Sequence, residues 1–589
     1  MRYGVFGLGD RTYAETFNFG GKRFDDILTE LGAQRIGERV QHDASSGVLP
    51  EEMAVEWGEG WLALVRERPF RPELFELESS GTRGGESMPA SDIPRDYNAA
   101  EDLLGGNLKA GRGGKLAYID DSGQCTFAEL AERANRFGNH LLSLGLRMED
   151  RILIAMHDSI DWPVAFLGAI KAGIVPVAVN TLLTPKDYEY MLADSRAKAL
   201  LVSPPLKVQF EPFLSKLPFL KHFIVSPFDF LSSRNPNLDA APTTSDDACF
   251  WLYSSGSTGM PKGTVHVHSS MRLTAELYAG GVLGLKESDV IFSAAKFFFA
   301  YGLGNSLSFP LAVGATTVLM AERPTPDAVF RRLTQRKPTL FFGVPTLYAG
   351  MLASPAFPEK ESLHLRSCIS AGEALPPQIA TSFKEKTGVD ILDGIGSTEM
   401  LHIFLSNRPG EFRHGTTGKA VPGYDLKLVD EQDREVKQGE LGELLIKGPT
   451  AANLYWNNRT KSRSTFVGEW TRSGDKYSQD ADGFYAYGGR TDDMLKVGGI
   501  WVSPAEVEAA LVSHECVLEA AVVGKEDEQK LVKPKAFVVL KPGKQATTEE
   551  LQSYVKSKLA PYKYPRWIEF AAELPKTATG KIQRFKLRA

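Results

Sequence analysis

Short apolar runs that stop at turn residues dominate the middle of the chain: ILIAMHD at 152–158, VPVAVN at 175–180, ALLVS at 199–203 and HFIVS at 222–226. Between the first two, DWPVAFLGAIKAG at 161–173 reads as a helix. Near-continuous apolar strands alternating with helices have to be buried on both faces, which calls for a sheet covered by helices on each side. TTVLM at 316–320 and TLFFGV at 339–344 continue the pattern beyond a polar break, NPNLDAAPTTSDDA at 235–248. After GRTDDMLKVGG at 489–499 it restarts on a smaller scale. EVEAALVSHECVLEAAVVG and KPKAFVVLKPG read as helix, strand and strand, and TTEELQSYVKSKLAPYKYPRWIEF adds a helix and an edge strand. The expected fold class is α/β, with a large layered domain over 98–491 and a small α+β C-terminal domain over 492–589. Residues 1–71 read apart from this as strand, glycine-rich loop and helix, and the Pro, Gly, Ser and acidic residues of 72–97 read as a linker.

Composition narrows the function classes. The 589 residues are 43% hydrophobic, enough for several cores, and a formal charge of -5 gives no global attraction to nucleic acid or to an anionic bilayer. No run approaches the roughly eighteen apolar residues of a membrane span, and MRYGVFGLGDRTYAE lacks the basic start, apolar run and small-residue cleavage site of a leader. A cytoplasmic, non-membrane protein is expected. Cys125, Cys249, Cys368 and Cys516 lie far apart without CxxC spacing, so neither a disulfide framework nor a zinc site is indicated.

YSSGSTGMPKG, 253–263, has the chemistry of a phosphate cradle. Its glycines let backbone N–H groups converge, and its hydroxyls and single lysine add directional and Coulombic contacts to phosphate oxygens. It is not a Walker A loop: Pro261 takes the second glycine position and Gly263 replaces the magnesium-binding hydroxyl. Further stretches carry matching chemistry. GIGSTE at 394–399 offers the Thr398 hydroxyl to an anionic oxygen and the Glu399 carboxylate to magnesium. TRSGD ends in Asp475, suited to accepting from two ribose hydroxyls, and YGGRTDDMLKVGG supplies Arg490 beside an acidic pair. SAGEALP at 370–376 is thin enough to lie against a purine, and PKTATGKIQR places Lys581 in a glycine-containing loop.

Together, and taken in their order along the chain, these six stretches resemble the core motifs of the adenylate-forming acyl-CoA synthetase superfamily over about residues 98–589. KFFFAYGLGNS at 296–306 and GSTEMLHIFLSN at 396–407 are most similar to the benzoate-CoA ligase group. The resemblance implies a large adenylate-forming domain, a mobile C-terminal domain, and two reactions. A carboxylate attacks the ATP α-phosphate to give acyl-AMP and pyrophosphate, and the thiol of coenzyme A then displaces AMP to give a thioester. It further implies nucleotide contacts at Ser254, Ser257, Thr258, Lys262, Gly372, Glu373, Asp393, Gly394, Asp475 and Arg490, with Thr398 at the α-phosphate and Mg2+ at Glu399. Lys581 would neutralise the reacting anions, an electrostatic and not an acid–base role. Asp492 would be the hinge, and Gly498 and Gly499 would let the pantetheine arm pass. The acyl pocket implied is Tyr301, Ala371, His402 and Ile403, with benzoate the favoured aromatic carboxylate; without the resemblance, 297–301 reads as a buried strand end.

Two alternatives stay open: adenylation of an aliphatic or other aromatic acid, or loading onto a separate carrier protein; and a redox module. The second arises because YGVFGLGDRTYAETFNFGGKRFDDILTELGAQRI resembles the latter part of a flavodoxin-like FMN domain. No upstream strand and hydroxyl-rich loop precede it to hold the FMN phosphate, so the segment is expected not to bind flavin by itself and to be surplus to the ligase, a fusion or a start-site artefact. His266 and His268, at the i,i+2 spacing of one strand face, are read as structural and not as a metal pair, and Cys368 as core and not as a nucleophile.

Overall fold

The computed structural model describes residues 2–3, 6–9, 34–35, 40–43 and 93–589, except 257–258, 492, 498–499, 529–530, 577–581 and 589. The chain divides into two compact units, Met1–Gly84 and Gly85–Ala589. In the first, Arg2–Tyr3 pairs parallel with Gln34–Arg35, and Phe6–Gly9 pairs parallel with Val40–Asp43. Parallel pairing of neighbouring short strands requires a crossover between them.

Two large mixed sheets organise the second unit. Among the described residues the seven-stranded one runs in the order His222–Val225, Ala199–Val202, Arg151–Ala155, Val175–Ala178, Ala248–Gly256, Gly259–Val267 and Leu454–Tyr455. The four apolar runs of 152–226 supply its parallel part, and Ala199–Val202 and Val175–Ala178 are buried along their whole length. The nine-stranded sheet centres on Val290–Ser293, Leu340–Gly343, Ser367–Ser370 and Ile391–Gly396, paired in parallel from one to the next, and continues through antiparallel Ile403–Ser406 to Lys419–Ala420 at its edge. Antiparallel Gly442–Lys447, Trp470–Gln479 and Tyr485–Arg490 form the middle of a third sheet. Beyond it, helix Pro504–Val512 and strands Val517–Glu526 and Val532–Leu540, with Trp567–Phe570 on the edge, build the small α+β part read from the sequence.

The phosphate-cradle stretch 253–263 lies within a β-hairpin. Ala248–Gly256 turns back antiparallel onto Gly259–Val267, with Tyr253 opposite Gly263 and Ser254 opposite Lys262. The glycines therefore serve a hairpin tip between two strands of the sheet. His268 begins the helix that follows, so it does not share a strand face with His266. Residues 297–301 likewise are not a strand end: Ala300–Leu303 is helical and continues into a wide π turn, Gly304–Ser308. Such single-turn π segments inside helices concentrate at functional sites.

The helices Phe127–Ser143 and Asp161–Lys171 cover the first sheet and cross at glycine. A Cβ on Gly168 would stand 2.5 Å from the Ala134 carbonyl oxygen, and one on Gly138 2.8 Å from the Gly168 carbonyl oxygen. Neither backbone can yield without moving a helix. Gly168→Ala is expected to destabilise the fold by about 1–3 kcal/mol through this overpacking, read as a lower denaturation midpoint with unchanged kinetics in the protein that remains folded.

Candidate active site

The hairpin and the end of strand Ile391–Gly396 come together around Glu399. Its Oε1 accepts from the Tyr455 hydroxyl at 2.7 Å and from Ser254 Oγ at 3.4 Å. Tyr455 reaches this position because Leu454–Tyr455 pairs antiparallel with Thr264 and Val265 of the hairpin. Its ring also lies under Lys262, whose Nζ is 4.5 Å from the ring centroid. Burial pushes the Lys262 pKa down, Glu399 opposes that, and Lys461 and Arg490 add to it. One tyrosine thus holds an acid and a base in neighbouring places. Thr398 is fixed from its backbone: its carbonyl accepts from Nε2 of the buried His266 at 2.7 Å. His268 Nδ1 accepts instead from the backbone N–H of Ala99, 3.1 Å, so each histidine has a separate structural partner.

Asp475 and Arg490 face each other across strands Trp470–Gln479 and Tyr485–Arg490. Arg490 donates to Asp475 Oδ2 at 3.2 Å and to the Ser473 carbonyl at 3.1 Å, while the Tyr487 hydroxyl lies 3.5 Å from Asp475 Oδ1. The carboxylate is thereby held nearly buried, with a cation beside it. On strand Ile391–Gly396, Asp393 is buried with Oδ1 unpartnered, and desolvation raises its pKa well above the carboxylate range. Neighbouring Gly394 packs on Ile403. Gly372 adopts φ +95°, the left-handed region in which a side chain is strained, so SAGEALP turns here without a Cβ.

A pocket of aromatic and small side chains adjoins this polar group. Tyr301 spends its hydroxyl on the Gly343 and Ile369 carbonyls, both at 3.3 Å, so the ring offers a face and not a polar tip. His402 stands 5.6 Å from it, centroid to centroid, and burial lowers its pKa to about 3, which keeps the imidazole neutral. Ala371 and Ile403, both buried, complete the pocket.

The C-terminal tail closes the far side. The backbone N–H of Ile582 donates to Glu373 Oε1 at 2.9 Å. Arg584 forks onto Glu508 at 2.7–3.1 Å and reaches Asp493 at 4.0 Å. Lys581, Ser257, Thr258, Asp492, Gly498 and Gly499 lie outside the described residues. Every other site residue read from the sequence lines one cavity of about 1550 Å³ between the large and small parts of this unit. The sequence reading had missed Tyr455, His266 as a backbone clamp, and Tyr487. Tyr487 is the first residue of YGGRTDDMLKVGG, whereas Tyr455 lies in none of the stretches singled out above.

The AMP-binding enzyme family matches residues 108–456, and the AMP-binding enzyme C-terminal domain matches 506–581. The chain belongs to the AMP-binding enzyme family. A benzoate–CoA ligase of Thauera aromatica is 61% identical over 513 residues, 85% of this chain and 97% of that one. Among solved structures, a benzoate CoA ligase from Burkholderia xenovorans LB400 is 55% identical with a TM-score of 0.80, covering 84% of this chain and 100% of that one. The anthranilate CoA ligase AuaEII, solved with anthranoyl-AMP, is 46% identical with a TM-score of 0.82, covering 85% and 98%. The flavodoxin family matches residues 1–57. Among the described residues no helix is long and apolar enough to cross a membrane.

Membership in an AMP-binding family gives Asp475 a direct test. Asp475→Ala removes the carboxylate and leaves Arg490 without that partner. Loss of a charged hydrogen bond costs about 1.5–3 kcal/mol, so the AMP dissociation constant measured by calorimetry is expected to rise roughly 10- to 100-fold.

Proposed function

We propose that the chain is an AMP-forming ligase that activates benzoate, or a closely similar aromatic carboxylate, with ATP and passes the acyl group to coenzyme A. One observation carries the reading. The cavity joins a ring-sized pocket, Tyr301, Ala371, His402 and Ile403, to the nucleotide-facing Thr398, Glu399, Asp475 and Arg490. A benzene ring laid against the wall that Tyr301 and the neutral imidazole form together would be held by burial and offset contact, which select shape more than charge.

In the first step the carboxylate oxygen attacks the α-phosphorus and pyrophosphate leaves. Both reactants are anions, so the barrier is largely their repulsion, and cations fixed in a site that excludes water lower it. Lys262 and the hairpin tip, with Ser254, Ser257 and Thr258, would hold the outer phosphates. Thr398 would donate to the α-phosphate, and Asp475 with Arg490 would take the ribose. Gly372, Glu373, Asp393 and Gly394 would border the base. Glu399 suits a magnesium ion, because its Oε1 is occupied by two hydroxyls while the other oxygen retains acceptor capacity. Such an ion needs only one or two carboxylates beside phosphates and water, and when bound it neutralises phosphate charge.

Lys581 would be the remaining cation. The N–H of the next residue, Ile582, donates to Glu373 in SAGEALP, which supports that assignment. In the second step the thiol sulfur attacks the acyl carbonyl and AMP leaves with the bonding pair. Asp492 as hinge, with Gly498 and Gly499 beside the thiol path, would let the small domain exchange one loop for another between steps.

A panel of aromatic and aliphatic acids assayed for AMP release with and without coenzyme A tests the reaction. Benzoate is expected to give a thioester. AMP release without dependence on coenzyme A would point instead to a carrier protein as acceptor. Lys581→Ala is expected to slow adenylate formation by about 100-fold or more, while conversion of preformed benzoyl-AMP to thioester changes little. Equal losses in both half-reactions would refute its role.

A further inference from the structure

The outer edge of the phosphate hairpin is completed by a side chain. Along strand Gly259–Val267 the carbonyls of Val265, Gly263 and Pro261, at alternate residues, face one edge. Val265 accepts from the Asn453 N–H at 3.0 Å and Gly263 from the Trp456 N–H at 2.7 Å, at either end of the short strand Leu454–Tyr455. Asn457 then adopts φ +50°, and the chain turns away into helix Arg459–Thr465 before it reaches Pro261. The vacant place in the ladder is taken by Tyr190, whose hydroxyl donates to the Pro261 carbonyl at 3.2 Å.

Tyr190 can do this because its helix is fixed to the hairpin elsewhere. Helix Pro185–Ser195 starts at a capping box between Thr184 and Asp187. Near its other end, Asp194 Oδ2 accepts from the Tyr253 hydroxyl at 2.7 Å, and the Asp194 carbonyl accepts from Trp456 Nε1 at 2.9 Å. These bonds tie the helix to strand Ala248–Gly256 and to the segment after Tyr455, so the base of the hairpin does not depend on Tyr190. Tyr190 itself is half-buried and lines the large cavity together with Pro261 and Lys262. The proline ring locks its own φ, and a bond to its carbonyl resists rotation about ψ. Both dihedrals of residue 261 are thus restrained, and with them the direction in which Lys262 leaves the backbone toward its place 4.5 Å from the Tyr455 ring centroid.

We propose that Tyr190 is a positioning residue for the outer phosphates of ATP: its hydroxyl completes the hairpin ladder at Pro261 and thereby aims Lys262. This rests on the reading of the hairpin as the outer-phosphate cradle and refines it. Lys262 is a point charge on a flexible stem, and a backbone fixed beneath it spares part of the ordering cost of binding. Pyrophosphate leaves in the first step, so the effect belongs to ATP binding and adenylate formation and not to thioester formation. AMP carries no outer phosphates, and its binding does not draw on Lys262 or on the bond beneath it.

The test is calorimetric titration of the full chain, wild type and Tyr190→Phe, with AMP and with α,β-methylene ATP, a non-cleavable analogue, both in the presence of magnesium. The variant keeps the ring and loses only the hydroxyl. Removal of one neutral hydrogen bond is expected to raise the dissociation constant of the analogue about three- to tenfold while that of AMP moves less than about twofold. In turnover the KM for ATP is expected to rise by about the same factor, with conversion of preformed benzoyl-AMP to thioester unchanged. Lys262→Ala is the reference, expected to weaken the analogue by about tenfold or more. An analogue constant that Tyr190→Phe leaves unchanged, or that rises no more than the AMP constant, would overturn the proposal. If Lys262→Ala also leaves the analogue constant unchanged, the phosphate-cradle reading of the hairpin falls with it, so the two failures are distinguishable.

Discussion

The two large sheets are joined at the site through a buried, uncharged imidazole. His266 sits on the hairpin of the seven-stranded sheet and donates to the carbonyl of Thr398, just past the strand of the nine-stranded sheet that ends at Gly396. Burial lowers the His266 pKa to about 4, so the ring stays neutral and adds no charge beside the anions the site is built to hold. A lysine in its place would bring a cation and the cost of desolvating it. Around this bond the segment 450–455 stitches the same junction. The Thr450 hydroxyl donates to the Met400 carbonyl at 2.8 Å, the Ala452 N–H to the Glu399 carbonyl at 2.7 Å, and the Tyr455 hydroxyl to the Glu399 carboxylate. Thr398 and Glu399 are held on both sides by backbone and side-chain bonds that do not require their own functional groups, beyond one carboxylate oxygen.

Much of this was legible in the sequence, and what was not has identifiable causes. The parallel strands could be read because burial on both faces leaves little but Val, Ile, Leu and Ala in them, as in Ala199–Val202. The site residues could be read because phosphate, ribose and magnesium chemistry restricts the residue types at fixed offsets within each stretch. Pairing across strands was not legible. Asp475 meets Arg490 through a register that shifts at Lys476 and Tyr477, and Tyr455 meets Glu399 across 56 positions. The hairpin escaped notice for a related reason: Gly, Ser and Thr suit a strand–loop–helix turn as well as a hairpin tip, and what separates them is the strand partner of 259–267. The helical turn at 300–308 was hidden by its own composition, since FFFAYG contains aromatic residues that strands also favour. Lys581, Asp492, Gly498 and Gly499, and residues 10–33 of the flavodoxin-like stretch, lie outside the described residues.

The proposed aromatic-acid pocket shows how neutrality is imposed on a polar wall. Tyr301 and His402 are both capable of hydrogen bonding to a ligand, yet the Tyr301 hydroxyl is consumed by two carbonyls and His402 Nε2 by two oxygens. Satisfying these groups within the protein lets them act toward an apolar ring as flat surfaces, without the penalty of stranded donors. Small residues also set the limits of this pocket. Gly304 lies so close to His402, and Gly302 to the Lys296 carbonyl, where an added Cβ would stand 2.1 Å from the oxygen, that neither tolerates a side chain. The pocket is shaped as much by glycines that let the helical turn approach as by the aromatic groups that line it.

The proposed exchange of loops between the two half-reactions asks that the small part leave its place without unfolding anything, and the distribution of apolar contacts meets that requirement. The buried clusters of the large part end at Tyr485 and Tyr487, whereas those of the small part begin at Leu495 and draw on Val507, Leu511, Val522, Val538 and Leu551. No described residue belongs to clusters of both parts. At the cavity, the bond between the Ile582 N–H and Glu373 crosses from one part to the other, and it is of a kind water can replace. Arg584, Glu508 and Asp493 all lie on the small side, so their ion pairs would travel with it. A rotation near 492 would then trade polar contacts for hydration while each hydrophobic core stays closed, which is the energetic condition for a domain to swing at a modest cost.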